Sequence, residues 1–96
     1  MADLEQAFQE AANNVKNLKA KPNDEELLCL YGLYKQATVG DCNQAKPGMF
    51  QLKEKAKHEA WASKKGMSQD QAKKSYISTC DDLIKKYGLQ WRDLLE

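Results

Sequence analysis

The sequence predicts an all-α fold of four helices, and three features of the chain lead to that prediction. Apolar residues recur at intervals of three and four along four separate segments, which is the spacing of one helix face. Capping residues and glycines mark the ends of those segments. No segment alternates apolar and polar residues as a half-buried strand would. We therefore expect residues 1–96 to form a single domain, packed as a four-helix bundle.

The first helix is expected at about residues 4–19. Its small and apolar side chains follow the helical interval: Leu4, Ala7, Phe8, Ala11, Ala12, Val15 and Leu18. Asp3 and Gln6 have the spacing of a capping box, so Asp3 is predicted to cap the helix. Pro22 closes the segment, because proline cannot continue the helical hydrogen-bond ladder.

The second helix is expected at about residues 24–39, between the capping pair Asn23 and Glu26 and a stop at Gly40. Its apolar side chains are Leu27, Leu28, Leu30, Tyr31, Leu33, Tyr34 and Ala37. That stripe is too broad for one neighbour, so this helix is predicted to touch both the core and a ligand groove.

A loop rich in Gly, Asp, Asn and Pro is predicted at residues 40–48, followed by a third helix at about 51–65. The fourth helix is expected at about 69–87, with Ser68 and Gln71 as its capping pair. Its apolar stripe consists of Ala72, Tyr76, Ile77, Cys80, Leu83, Ile84 and Tyr87.

Residues 89–96 form a short C-terminal extension in which Trp91, Leu94 and Leu95 have helical spacing. A short amphipathic turn that docks on the bundle or a partner fits this pattern, and so does a frayed end.

Charge and composition restrict the partners and the compartment. The formal net charge is +1 and Arg92 is the only arginine, so we expect no nucleic acid partner. No run approaches the ~20 apolar residues of a membrane span, so no stable membrane insertion is expected. An odd number of cysteines without a C-x-x-C pair, and an acidic N-terminus without a long apolar run, favour a cytoplasmic protein. A monomer is expected.

Candidate binding chemistry lies on the second and third helices. Tyr31, Tyr34 and Lys35 share one side of a helix, and Lys53 and Lys57 are one turn apart on the next. Tyrosines stack and hydrogen-bond while lysines hold anionic oxygens, which suits a ligand with an aromatic base and phosphates. Half-buried tyrosines beside a solvated lysine face would give the same pattern.

Motifs of catalysis are missing from the sequence. His58, the only histidine, has no cysteine or acid at a spacing typical of a triad or a metal site. No glycine-rich phosphate motif occurs, so side chains would have to meet any phosphates. We expect a protein that is not an enzyme and that has no cofactor or metal.

Longer strings carry a more specific signal: YGLYKQATVGD at 31–41, KPGM at 46–49, KEKAKHEAW at 53–61, VKNLKAKP at 15–22 and KKYG at 85–88. From about Phe8 to Gly88 the chain resembles the acyl-CoA-binding protein family, also called diazepam-binding inhibitor. The resemblance implies four helices in an up-down-down-up arrangement. It also implies a carrier that binds long-chain fatty acyl-CoA and forms an intracellular pool of it.

Eight residues match the ligand side of that family's site: Lys16, Tyr31, Gly32, Leu33, Tyr34, Lys35, Lys57 and Tyr76. The match implies that Tyr31 packs against the adenine region and that Lys35 and Lys57 meet the phosphates, above all the 3′-phosphate. It further implies that Tyr76 closes the site, that Lys16 lies at the edge of the ligand and that Tyr34 is a second ligand-side tyrosine. Candidates for the acyl groove are Ala12, Leu27, Leu28 and Met49, and core packing explains these equally well.

Two positions depart from the family pattern. His58 stands where a Trp is usual, so restoring an indole there is expected to tighten binding. Cys42 stands where an aliphatic residue is usual, and is interpreted as a small hydrophobe. A competing hypothesis is a helical adaptor for a protein partner, which predicts an exposed apolar patch with no phosphate-sized basic pocket beside it.

Overall fold

The computed structural model describes residues 2–88, and its regular structure there consists of four helices. They are α1 (Ala2–Val15), α2 (Asp24–Thr38), α3 (Leu52–Ala62) and α4 (Gln69–Tyr87). The all-α prediction is confirmed. The predicted C-terminal extension, 89–96, lies outside the described residues.

Local capping signals set the start of α2 and of α4. The Asn23 side chain accepts from the Glu26 N–H at 2.8 Å, and the Glu26 carboxylate accepts from the Asn23 N–H at 2.9 Å, which confirms the predicted capping box. Ser68 Oγ accepts from the Gln71 N–H at 3.1 Å. These bonds satisfy backbone donors that the first helical turn leaves without a partner.

The first helix differs from the prediction at both ends. It begins at Ala2, so Asp3 lies within the first turn and the prediction that it caps the helix is wrong. Its carboxylate still lies near the positive end of the helix dipole. The helix ends at Val15 because the Asn17 N–H bonds to the Asn14 carbonyl, three residues back, at 2.9 Å. Such tighter turns commonly terminate an α-helix.

The third helix is also shorter than predicted. Beyond Ala62, the N–H groups of Lys64 and Lys65 bond to carbonyls three residues back, at 3.0 and 3.1 Å. Gly66 then takes a φ of 93°, which a residue with a Cβ rarely adopts. The helical ladder therefore stops before the residues that were predicted to extend it.

Contacts at both ends of the helices define their directions. Glu5 and Lys73 pair at 2.6 Å near the starts of α1 and α4, and the Lys19 N–H donates to the Gly88 carbonyl at 2.9 Å near their ends. Consequently, α1 and α4 run in the same direction. In contrast, Glu26 near the start of α2 binds Lys86 near the end of α4 at 2.9 Å, so these two helices are antiparallel.

The second and third helices run in the same direction. Residues of both first turns line one cleft, and the Trp61 indole N–H at the end of α3 donates to the Gly40 carbonyl just after α2 at 2.8 Å. The 13-residue connection between the two helices, 39–51, is long enough to return along the bundle. Up-down-down-up is therefore the observed order.

Buried apolar side chains from α1, α2 and α4 form the core. The cluster consists of Phe8, Ala11, Ala12, Leu30, Leu33, Ala37, Ala72, Tyr76, Cys80 and Leu83. Trp61 of α3 is also buried, with 1% of its surface exposed. The third helix reaches α2 at Gly32, where an added Cβ would lie 2.9 Å from the Ala60 carbonyl carbon and closer still to its oxygen. Only glycine permits this approach of the two backbones.

An ionic contact between α2 and α4 predicts how the stability of the fold depends on pH. The Tyr87 hydroxyl donates to Glu26 at 2.6 Å, and Lys86 and the Asn23 N–H also bind this carboxylate, which lowers the pKa of Glu26 from 4.5 to about 2. Because the pKa is lower in the folded state, the ionised carboxylate stabilises the fold at pH values above the pKa of the unfolded chain. That contribution disappears as the pH falls from 4.5 through about 2. Glu26→Gln should therefore melt below the parent at pH 7 and approach it near pH 2. Circular dichroism melts across that range measure this, and a pH-independent difference would contradict it.

Candidate functional site

Two lysines and two aromatic rings face each other across the parallel helices α2 and α3. Lys57 Nζ lies 5.5 Å from the centroid of the Tyr31 ring, and Lys35 Nζ lies 5.0 Å from the Trp61 ring. Tyr31 and Lys35 are one turn apart on α2, as Lys57 and Trp61 are on α3. Each ammonium is attracted by the negative face of its ring. Each helix thus places one ammonium group over a ring of the other helix, along the line where α2 meets α3.

A cleft of about 420 Å³ opens between the first halves of these two helices, and we call it the α2–α3 cleft. It is lined by Asp24, Leu27, Leu28, Tyr31, Leu52, Lys53, Ala56 and Lys57. Most of this lining is apolar, and the ammonium groups of two lysines stand beside it. The cleft therefore combines a hydrophobic channel with cationic groups, the pattern that a lipid with an anionic head requires.

A second cleft of about 350 Å³ lies between α1, α2 and α4, and we call it the tyrosine cleft. It is lined by Gln9, Ala12, Asn13, Val15, Lys16, Leu27, Leu30, Tyr31, Tyr34 and Tyr76. Its lining is more polar than that of the α2–α3 cleft, with three phenols, two amides and an ammonium. Leu27 and Tyr31 line both clefts, so the two meet at these residues.

Three aromatic rings stabilise the wall of the tyrosine cleft. Phe8 lies 5.1 Å from Tyr76 and 5.6 Å from Tyr34, and the two tyrosines are 5.8 Å apart. Tyr34 is 40% exposed whereas Tyr76 is 4% exposed. Burial raises the pKa of Tyr76 well above its usual range, so its phenol keeps its proton. Tyr76 can thus offer a neutral hydroxyl, while Tyr34 offers an open ring face.

The structure brings six of the eight predicted site residues to these two clefts or beside them. Lys16, Tyr31, Tyr34, Tyr76 and Lys57 line them, and Lys35 lies over Trp61 next to them. Gly32 and Leu33 are buried instead, the first against the α3 backbone and the second, 3% exposed, in the core. Neither residue lines either cleft.

Of the residues predicted to line the acyl groove, some line a cleft and one does not. Leu27 and Leu28 line the α2–α3 cleft and Ala12 lines the tyrosine cleft. Met49 lies outside both linings and is 71% exposed. Sequence reasoning also missed Gln9 and Asn13, which line the tyrosine cleft. Gln9 lies seven residues before Lys16 and Asn13 three, so a continuous helix would carry all three on one face. This spacing could have identified both residues from the sequence.

The second half of the YGLYKQATVGD string joins helices rather than lining a cleft. Gln36 is 1% exposed, and its Nε2 donates to Asp41 Oδ1 at 2.8 Å and to the Met67 carbonyl at 2.7 Å. Asp41 Oδ1 also accepts from the Gly66 N–H at 3.0 Å. The hydrogen bond from Gln36 and, after it, the one from the Gly66 N–H lower the pKa of Asp41 from its usual value. The string thus fixes the end of α2 to the start of α4.

His58 contacts the long loop instead of a cleft. Its Nε2 lies 3.0 Å from the Gln44 carbonyl, and since a carbonyl only accepts, Nε2 carries the proton. His58 is absent from both linings. The expectation that an indole here would add surface beside the ligand therefore finds no supporting contact in this structure.

Two features are absent from the described residues, 2–88. No three His, Cys, Asp or Glu side chains come together there as a metal site would need. No helix in this range is long and apolar enough to cross a membrane.

Comparison with known proteins gives concordant results. A family model described as Acyl CoA binding protein matches residues 5–80. The chain is 54% identical over 82 residues to acyl-CoA-binding protein homolog 1 of Caenorhabditis elegans, covering 85% of this chain and 95% of the relative. Its fold is similar to the crystal structure of Oryza sativa acyl-CoA-binding protein 2, with a TM-score of 0.85, 39% identity and coverage of 88% and 92%. The solution structure of the yeast acyl coenzyme A binding protein has a TM-score of 0.70 and 53% identity, with coverage of 86% and 96%.

Proposed function

The chain belongs to the acyl-CoA-binding protein family, and on that premise we propose that it binds long-chain fatty acyl-CoA and acts as a carrier that maintains an intracellular pool of it. The observation that carries this proposal is the meeting of two clefts at Tyr31, one mostly apolar and one rich in phenols. An acyl-CoA has the same two-part chemistry, with an alkyl chain at one end and a nucleotide with phosphates at the other.

We assign the acyl chain to the α2–α3 cleft and the nucleotide to the region around Tyr31 and the tyrosine cleft. The Tyr31 and Tyr34 rings provide surfaces on which adenine can stack. Lys35, Lys57 and Lys16 provide charge-assisted hydrogen bonds to phosphate oxygens. Tyr76 keeps its proton and would close the inner end of the tyrosine cleft.

Approximate binding free energies indicate how much the acyl chain and the CoA head group each contribute to affinity. Each buried methylene contributes roughly 0.8 kcal/mol, so about fourteen of them supply on the order of 11 kcal/mol before the costs of association. A nanomolar dissociation constant corresponds to about 12 kcal/mol. The chain would therefore provide most of the affinity, while the lysines and tyrosines select CoA thioesters over free fatty acids.

The remaining properties are proposed on narrower grounds. We propose a binding protein without catalytic activity, because the cluster around Tyr31 consists of groups that hold a ligand and leaves His58 out. Three free cysteines suit a reducing compartment such as the cytoplasm, and a single domain with its own core suits a monomer. The competing hypothesis of a protein-binding adaptor predicted an exposed apolar patch with no basic pocket beside it. Because the apolar Leu52 and the basic Lys53 line the same cleft, we favour the ligand site over the adaptor.

Thermal unfolding with palmitoyl-CoA, free CoA and palmitate tests the proposal. A ligand that binds only the folded state, present at about 100 times its Kd, stabilises the protein by about 2.7 kcal/mol. For a domain of this size that raises Tm by roughly 10–20 °C. We expect this shift with palmitoyl-CoA in a one-to-one complex and a much smaller shift with the other two. An equal shift with palmitate would show that the head group is not recognised.

A further inference from the structure

A third cleft, of about 390 Å³, lies between α2 and the segment that joins it to α1, and we call it the α1–α2 cleft. Its apolar lining consists of Val15, Leu18, Ala20, Pro22, Leu27 and Leu30. Pro22 and Leu30 are buried. Val15, Leu18 and Leu27 are half-buried and leave part of their apolar surface open. Since a cavity of about 150 Å³ accepts a benzene ring, this cleft has room for an indole and a further aliphatic side chain.

The end of α4 lies directly beside this cleft. The Gly88 carbonyl accepts from the Lys19 N–H at 2.9 Å, and an added Cβ at Gly88 would lie 3.3 Å from the Lys19 side chain. Lys19 is flanked in the sequence by Leu18 and Ala20, which both line the cleft. Three residues of chain span at most about 11 Å, so residue 91 is held within that distance of Gly88. The chain beyond α4 therefore starts at the edge of the α1–α2 cleft.

The composition of residues 89–96, which we call the C-terminal tail, suits an apolar cleft. Half of its side chains are large and apolar: Leu89, Trp91, Leu94 and Leu95. An indole is among the side chains that remove the most apolar surface from water when buried, and its N–H still needs a polar partner. An open cleft, with backbone and water at its rim, provides both conditions.

Charge also favours a contact between the tail and this cleft. The tail contains two acids, Asp93 and Glu96, against a single base. Residues 15–22 contain three lysines and no acid. Two of those lysines, Lys16 and Lys21, line the cleft and are exposed. The two surfaces therefore attract each other, and more strongly at low salt.

We propose that the C-terminal tail docks in the α1–α2 cleft of its own chain, with the Trp91 indole inserted against Leu18 and Leu27. Attachment at Gly88 keeps the tail at a local concentration in about the millimolar range, so even a weak contact is well populated. A separate molecule would have to reach a comparable concentration to displace it.

Docking of the tail also determines which clefts a ligand can enter. The α1–α2 cleft continues the tyrosine cleft, since four residues line both: Val15, Lys16, Leu27 and Leu30. Leu27 lines the α2–α3 cleft as well, so an alkyl chain that reaches Leu27 has two apolar routes. With the tail in place, the α1–α2 route is closed and the α2–α3 cleft remains. This consequence rests on the proposed binding of acyl-CoA, whereas the docking itself does not.

Nuclear Overhauser effects, measured by NMR on the ligand-free full chain, test the docking directly. We expect effects between the indole protons of Trp91 and the methyl groups of Leu18 and Leu27, and no change on tenfold dilution. The buried indole of Trp61 is the internal control, because it must show effects to its own neighbours in the same spectrum. Absence of the Trp91 effects beside clear Trp61 effects would overturn the proposal. Effects that vanish on dilution would overturn it in favour of docking between two copies.

Thermal unfolding of two variants gives a second readout. Trp91→Ala should lower the Tm of the ligand-free protein by about 4 °C or more, because it withdraws an indole from the cleft. Phe50→Ala is the matched control, since it removes an aromatic ring that is 93% exposed, and should leave Tm unchanged. Equal melting of Trp91→Ala, Phe50→Ala and the parent would contradict the docking.

Addition of palmitoyl-CoA tests the closed route separately. The Trp91 effects to Leu18 should persist in the complex. Their loss on addition of ligand would show that the acyl chain takes the α1–α2 cleft, and would overturn the closing of that route. A chain that binds no palmitoyl-CoA would contradict the proposed function, while the docking would still be decided by the ligand-free spectra.

Discussion

Gly32→Ala is expected to destabilise the fold by about 2 kcal/mol and to lower Tm by roughly 8–16 °C. The new Cβ would meet the backbone carbonyl of Ala60, which cannot rotate away as a flexible side chain could. Overpacking of this kind costs up to about 3 kcal/mol, and the better helix propensity of alanine returns about 1 kcal/mol of it. Denaturant titration followed by circular dichroism gives the difference in unfolding free energy.

Gly48→Ala is the matched control for that experiment. Its added Cβ would have one neighbour, the Gln51 side-chain oxygen at 3.9 Å, and its φ is not positive. Reduced freedom of the unfolded chain should leave this variant equal to the parent or more stable by up to about 1 kcal/mol. If Gly32→Ala were also stabilised by about 1 kcal/mol, helix propensity alone would be acting and α2 and α3 would not be in such close contact.

Gly32→Ala should also affect ligand binding. Pushing α3 away from α2 at residue 32 widens the α2–α3 cleft and separates Lys57 from the Tyr31 ring. Palmitoyl-CoA affinity should therefore fall even at a temperature where Gly32→Ala remains folded. Gly32 would then affect the site through the position of α3 rather than through contact with the ligand.

The sequence predicted the bounds of α2 and α4 closely, whereas α1 differs from its prediction at both ends and α3 ends early. The starts of α2 and α4 depend on Asn23 and Ser68, whose side chains bond to backbone only three residues away. The ends of α1 and α3 depend on tightened last turns and, for α1, on the bond from Lys19 to Gly88 in a distant segment. Such a long-range contact leaves no trace in the local pattern.

The site was partly accessible to sequence reasoning for a similar reason. Helical spacing alone predicts that Tyr31 and Lys35 share one side of α2. That Lys57 lies over Tyr31, and Lys35 over Trp61, depends on α2 and α3 being parallel, which periodicity does not specify. The family resemblance supplied that arrangement. It did not indicate that Met49, a groove candidate by composition, would instead stand exposed in a turn.

Lys35→Ala and Lys57→Ala should each weaken palmitoyl-CoA binding by about 1.5–3 kcal/mol, or roughly 10–150-fold in Kd, the scale of a hydrogen bond to a charged group. Both ammonium groups face aromatic rings and lie at the junction of α2 and α3, where the phosphates are proposed to bind. Losing the ring contact itself should lower stability by no more than about 1 kcal/mol. Isothermal calorimetry on variants verified as folded measures the change in affinity.

Lys74→Ala is the appropriate control for general electrostatic attraction. Lys74 is exposed on α4 and outside both cleft linings. Its neighbour Lys73 is unsuitable, because it pairs with Glu5 at 2.6 Å and lies 6.0 Å from the Phe8 ring, so its removal would disturb packing between α1 and α4. Equal losses at Lys35, Lys57 and Lys74 would indicate diffuse attraction, removable by salt. A loss confined to Lys35 and Lys57, and seen also with free CoA, would place the phosphates between α2 and α3.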